Sequence, residues 1–352
     1  MALKTRKTIL ALCVLAFFAI TIVTLLYGQG YSLDNNFRIS QRGGLYVSLP
    51  FDGAEIFVNN KKENASGMLS KGLFMSNLKT GEYSILVAKE NFWPWIKKLE
   101  VKQGLVTESM AILIPKNPQG GILFKGKFTK IWASPDQNLL VLKEERGDDF
   151  QLTFYLPGKN TFLTTDNSLA KQLLSFKKGI SNIIWSKNSF VFKSEKGTIE
   201  AKFNLAEEIV SASYFTENLP QVSDFEKFDK KKNEKIWWDD ANNEIFADWL
   251  KKDALPPYYI CPPQRADGQS CQLPALIFKS NFRIKNIEFF PDRKDIIIMA
   301  AGNGIYVVEM DGRSERLVYP IYKGKDPTFA ISTEKNFIYA IDDGALIKMS
   351  LE

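Results

Sequence analysis

Apolar positions follow two different rules along the chain. Residues 8–27 read TILALCVLAFFAITIVTLLY, an unbroken apolar run without charge, Pro or Gly. About 20 such residues let a helix cross a hydrocarbon core of about 30 Å, with its backbone polar groups paired internally. Lys4, Arg6 and Lys7 precede the run, and the next basic residue is Arg38. Positive charge stays cytoplasmic, so residues 1–7 are expected inside and the chain after residue 27 outside, on a single-pass cell-membrane anchor. A cleaved signal peptide is the alternative, with an apolar core of about 7–15 residues and a small-x-small cleavage site. The exit Leu26-Tyr27-Gly28-Gln29-Gly30 has no clear Ala-x-Ala, which favours retention. Cys13 lies in mid-span and reads as a packed apolar side chain rather than a lipidation site.

Beyond a flexible tether expected at 28–40, apolar positions alternate. In residues 41–115, Leu45-Tyr46-Val47-Ser48-Leu49 leads to the turn Pro50-Phe51-Asp52-Gly53, and Ala54-Glu55-Ile56-Phe57-Val58 leads to Asn59-Asn60. Such residues supply the dihedrals of a tight reversal. Lys79-Thr80-Gly81 turns the chain again, and the strands of 96–101 and 105–114 are parted at Gln103-Gly104. Strands with turns every 8–12 residues or so suggest a small β-sandwich.

Residues 116–352 repeat a unit: a strand carrying an aromatic, a polar turn, and a second apolar strand. The aromatic positions are Trp132, Trp185, Trp237, Phe289 and Phe329, spaced by subtraction at 53, 52, 52 and 40. Pro135-Asp136 and Pro291-Asp292 are expected to form type I turns. One unit cannot bury both faces alone, whereas units stacked radially bury each other, as in a β-propeller of about five blades. The segment 119–128, strand-like and otherwise unpartnered, is expected to complete the last unit and remove an exposed edge.

Two family resemblances follow from these residues. Gly44-Leu45-Tyr46-Val47, the turn Pro50-Phe51-Asp52-Gly53-Ala54, Leu78 with Gly81-Glu82-Tyr83, and Phe92 with Trp95 resemble a PEGA domain. The turn is one residue longer than the Pro-Glu-Gly-Ala that names the family, and Asn91-Phe92 replaces the usual Gly-Tyr. The resemblance implies an extracytoplasmic β-module without catalytic residues, with Phe92 and Trp95 in its core and Trp93 more exposed. The repeats resemble TolB-like or WD40-like propeller blades, although only two of the five carry Pro-Asp and neither adds Gly.

Charge and composition narrow the chemistry. The net charge is +6, and removing Lys4, Arg6 and Lys7 leaves +3, too mild for a nucleic-acid face. The chain has no His, which removes the commonest general base and metal ligand. Ser175-Phe176-Lys177-Lys178 and Lys79-Thr80-Gly81 mimic serine penicillin-interacting enzymes, but in the wrong order. No catalytic, cofactor or metal residues are therefore assigned. Cys261 and Cys271 bracket a Pro- and Gly-containing loop and are expected to form a disulfide outside the cell. Trp237 is expected in the core, with Trp238 alternating away from it. Trp238, Trp249, Tyr258 and Tyr259, with Trp93, are the candidate binding face. These features suggest a non-catalytic envelope protein that binds a protein or a cell-wall glycan, or else a structural scaffold without a discrete ligand.

Overall fold

The computed structural model describes residues 3–28, 30–33, 39–50, 52–63, 72–186, 188–216, 226–262, 271–332 and 337–351. The chain is mainly β with one long N-terminal helix, and divides into two compact units, Met1–Leu113 and Ile114–Glu352.

The helix spans Leu3–Gly28. Its stretch Ile9–Gly28 is long and apolar enough to cross a membrane, a property it shares with signal sequences. Apolar side chains project all round it, among them Leu12, Phe17, Ile20 and Val23. Thr21 and Thr24 donate their hydroxyls to the carbonyls of Phe17 and Ile20, both at 2.8 Å, which satisfies them without water. Cys13 is a free thiol on the outer surface of this helix. The expected tether is partly ordered: Tyr31–Leu33 pairs antiparallel with Ile39–Gln41. Arg42 fastens this ladder, donating its backbone N–H to Gly30 O at 2.7 Å.

Besides that short ladder, the first unit holds two larger sheets among the described residues. In one, Gly43–Ser48 lies between Gly72–Leu78, antiparallel, and Val106–Met110, parallel. The other runs Lys61–Glu63, Glu55–Val58, Gly81–Ala88, Trp95–Val101. Period-two burial is plainest in the last strand, where Trp95, Lys97, Leu99 and Val101 are buried and Ile96, Lys98 and Glu100 exposed. Trp95 is fully buried, as expected of a core aromatic. Asn59 and Asn60 reverse the chain with φ of 48° and 65°, which asparagine tolerates better than most residues.

The second unit is a series of antiparallel meanders. The second contains Ser181–Ser186, Ser189–Ser194, Gly197–Asn204 and Ile209–Tyr214. The third runs Glu226–Phe228, Glu234–Asp239, Glu244–Trp249, Ala275–Lys279, and the fourth Ile284–Phe289, Ile296–Ala301, Gly304–Glu309, Val318–Lys323. The first and last share the long strand Gly120–Ala133. Its early part pairs with Gly344–Ser350, after Thr328–Ile331 and Phe337–Asp342. Phe128 pairs on both sides, with Gly344 and with Glu144, and from Lys130 onward the strand pairs with Leu140–Arg146, which pairs with Asp149–Leu156. The pairing expected of residues 119–128 with the last unit is thus present.

The meanders differ from the expected repeat in two details. Trp132, Trp185, Phe289 and Phe329 sit on the first strand of their meanders, but Trp237 sits on the second strand of its own. The short strand Glu226–Phe228 precedes it, and Asp229 closes the turn by accepting the backbone N–H groups of Lys231, Asn233 and Glu234. The matching aromatic is therefore Phe228, and the even spacing is lost. The two Pro-Asp turns also differ. Gln137 N–H bonds to Ser134 O at 2.7 Å and the left-handed residue is Gln137, φ 59°, after the turn. In the other, Asp292 itself has φ 56°, which a type I turn excludes.

Candidate binding site

The aromatic cluster singled out from sequence is largely packed. Along Glu234–Asp239, burial alternates so that Glu234, Ile236 and Trp238 point inward. Trp238 is 7% exposed and packs in a core with Ile245, Ile260 and Ile277. The orientations of Trp237 and Trp238 are thus the reverse of those expected, because Glu234–Asp239 is the second strand of its meander and not the first. Trp237 is half-buried and stacks on Phe246, centroids 5.6 Å apart, with Lys235 Nζ 4.7 Å from its ring. Trp249 donates its indole N–H to Ala254 O at 2.8 Å. Trp93, in the other unit, is half-buried rather than exposed.

Tyr258 and Tyr259 are half-buried and meet edge to face at 5.6 Å. The Arg313 guanidinium lies 4.1 Å from the Tyr258 ring. Tyr259 donates its hydroxyl to Glu234 Oε1 at 2.8 Å. Burial pushes both tyrosine hydroxyls upward, and the Glu234 carboxylate adds to the effect on Tyr259. Glu234 is only 2% exposed, and its Oε2 has no hydrogen-bond donor among the described residues. Burial raises its pKa above the ordinary value, against the pull of Tyr259 and Lys294. For Asp229 burial also pushes upward, but Lys294 and three backbone N–H donors outweigh it and hold that carboxyl low. Cys261 and Cys271 are bonded, with Cα atoms 5.5 Å apart. Residues 263–270 of their loop lie outside the described residues.

A different place has the geometry of a binding site. A cavity of about 710 Å³ in the second unit is lined by the first strand of five successive meanders. These contribute Thr129–Ala133, Ile183–Trp185, Glu226 and Lys227, residues of Ile284–Phe289, and Thr328–Ala330. Trp238 borders the same cavity and is the one sequence-flagged binding residue to do so. Polar links tie neighbouring meanders at its wall. Lys227 Nζ is 2.6 Å from Glu288, and Arg283 grips both oxygens of Asp240 at 3.2 and 3.0 Å. Lys285 bonds to Asp326 at 2.9 Å and to Gly302 O at 2.8 Å. Asn286 donates to Phe329 O at 2.7 Å. The sequence marked Trp132 and Trp185 only as repeat positions. Their approach to Lys227, Lys285 and Glu288 comes from residues scattered over the whole second unit, and no local motif signals it.

Among the described residues no group of His, Cys, Asp and Glu has the arrangement of a metal site. Lys79–Gly81 forms a turn of the first unit and Ser175–Phe176 a two-residue strand of the second.

No family model matches the chain, and no curated protein matches it. Among solved structures, a luciferin-regenerating enzyme matches at 9% identity and a TM-score of 0.40, covering 66% of this chain and 95% of that one. An auxiliary nutrient binding protein from Bacteroides ovatus matches at 8% identity and a TM-score of 0.36, covering 89% and 98%. A gluconolactonase-family protein matches at 11% identity and a TM-score of 0.31, covering 67% and 93%. At these identities and scores the similarity carries no argument about function.

Proposed function

We propose that the chain is a non-catalytic binding protein of the cell envelope, anchored by its N-terminal helix, with its ligand site at the centre of a five-bladed propeller. One observation carries this reading: the first strands of five meanders line a single cavity of about 710 Å³. That volume lies within the about 300–1,000 Å³ typical of small-molecule sites. The strand shared by the first and last meanders supports ring closure, which removes sheet edges. The absence of His from the chain and the pairing of Lys227, Lys285 and Arg283 with carboxylates favour binding over catalysis. Lys4, Arg6 and Lys7 support a cytoplasmic N-terminus and extracytoplasmic units. The PEGA-like reading of the first unit is part of the proposal, supported by its two sheets, its asparagine turn and buried Trp95. Trp249, Tyr258 and Tyr259 in the second unit, and separately Trp93 in the first, are proposed as secondary contacts.

A scaffold without a ligand is the second reading, favoured by the ion pairs that bind neighbouring meanders to each other. Full-length protein in detergent distinguishes the two through its retention on cell-envelope material. Thr328→Trp, which adds an indole to the cavity lining, is expected to abolish retention at unchanged melting temperature. Retention that survives this change places the site elsewhere, and no retention by the parent protein supports the scaffold. Protease added to intact cells tests the orientation. It is expected to digest both β units and spare a short membrane-embedded fragment, and a chain protected along its whole length overturns the assignment.

A further inference from the structure

The charges around the cavity do not cancel evenly. Lys227, Lys285 and Arg283 each have a carboxylate within 3.0 Å, and Glu226 is held by Lys235 at 3.1 Å. Lys130, on the same wall, has no carboxylate partner among the described residues. It also lies directly across its ladder from Lys143, an arrangement in which like charges repel. Lys143 is fixed with its ammonium 3.5 Å from the Phe150 ring centroid. Burial, reinforced by Lys130, pulls the Lys143 pKa below the usual lysine value. Beside this cation pair stand two indoles. Lys130 Nζ is 5.1 Å from the Trp132 ring, and Trp132 and Trp185 share the cavity wall. Both are wedged against Phe190, at 6.1 and 4.7 Å, so their ring planes are held in place.

We propose that the cavity takes a carboxylate-bearing sugar, its acid group on Lys130 with Lys143 behind it and its ring against Trp132 and Trp185. This rests on the cavity being the ligand site. A bound carboxylate relieves the repulsion between the two ammonium groups, which a neutral sugar leaves in place. A bare anion satisfies the lysines but leaves the indoles in water, whereas a sugar ring presents them with an apolar face. Lys130 contacts the ligand, and Lys143 is a positioning residue that raises the local potential and orients Lys130.

The test titrates the full-length protein in detergent with sodium glucuronate, glucose and sodium acetate, read by indole emission and calorimetry. Glucuronate is expected to bind about tenfold or more tightly than glucose or acetate, and more weakly as salt is added. Lys130→Met should bring glucuronate down to the level of glucose. Lys143→Met should weaken glucuronate about tenfold and leave glucose unchanged. Both variants remove a like-charge repulsion, so they should melt no lower than the parent, and the loss of binding is then not a loss of fold. Equal binding of glucuronate and glucose, equal binding of glucuronate and acetate, or full glucuronate affinity in Lys130→Met each overturns the proposal. If glucuronate does not bind while Thr328→Trp still abolishes envelope retention, this inference falls and the cavity assignment stands. If retention survives Thr328→Trp, the cavity assignment falls with it.

Discussion

Trp237 and Trp238 are adjacent, yet strand alternation gives them opposite environments. Trp238→Ala removes a side chain that packs among Ile245, Ile260 and Ile277, and is expected to cost about 3–5 kcal/mol. Trp237→Ala removes a half-exposed stack on Phe246 and is expected to cost about 1 kcal/mol. Denaturant titration of the two variants checks the order, and a larger loss at Trp237 would contradict the strand register. Glu234 offers a second test at this scale. Its folded pKa lies above the ordinary 4.5, so its stabilising contribution is complete below that value and is lost as pH rises through the folded pKa. Asp229 has the opposite sign: its folded pKa lies below 3.8, so its contribution is present above 3.8 and fades as pH falls. Glu234→Gln should therefore raise the melting temperature at neutral pH, keeping an acceptor for Tyr259, and the gain should vanish in acid. A gain that persists equally in acid would point to packing and not to charge.

Turns and the loop they frame carry the next level. The Cys261–Cys271 bond closes a loop of sequence separation 10. A loop of that length restricts the unfolded chain by about 2–3 kcal/mol. Mass mapping without reductant should find the two peptides linked, and reduction should lower the melting temperature; two freely alkylated thiols would rule the bond out. Strands and reversals were legible in the sequence wherever the signal is local. Alternation located Trp95–Val101 and Glu55–Val58, and Asn59-Asn60 marked the turn between Glu55–Val58 and Lys61–Glu63. Glu226–Phe228 was not legible, being three residues long with two of them charged, and missing it displaced the third repeat by one strand. The pairing of Tyr31–Leu33 with Ile39–Gln41 is not legible for a similar reason, since a ladder of three residues on each side has too few positions to show a period. The candidate site was least legible of all. Lys227 and Glu288, Lys285 and Asp326 meet only after separate meanders are in place, so their partnership has no sequence neighbourhood to read.

For the whole molecule, the strand Gly120–Ala133 links the two ends of the second unit. Phe128 pairs with Gly344, a separation of 344 − 128 = 216 positions. Contacts this remote slow folding, because the intervening chain must be ordered before they form. During synthesis the early half of that strand emerges long before Gly344–Ser350 and waits as a bare edge with unpaired N–H and C=O groups. The same edge reappears whenever the last meander is nicked or displaced, and a matching Gly344–Ser350 from a second molecule can fill it as well as the chain's own. Molecules damaged near Phe337–Ser350 are therefore expected to join by exchanging strands, giving dimers and open chains on a column where the intact protein runs as a single species.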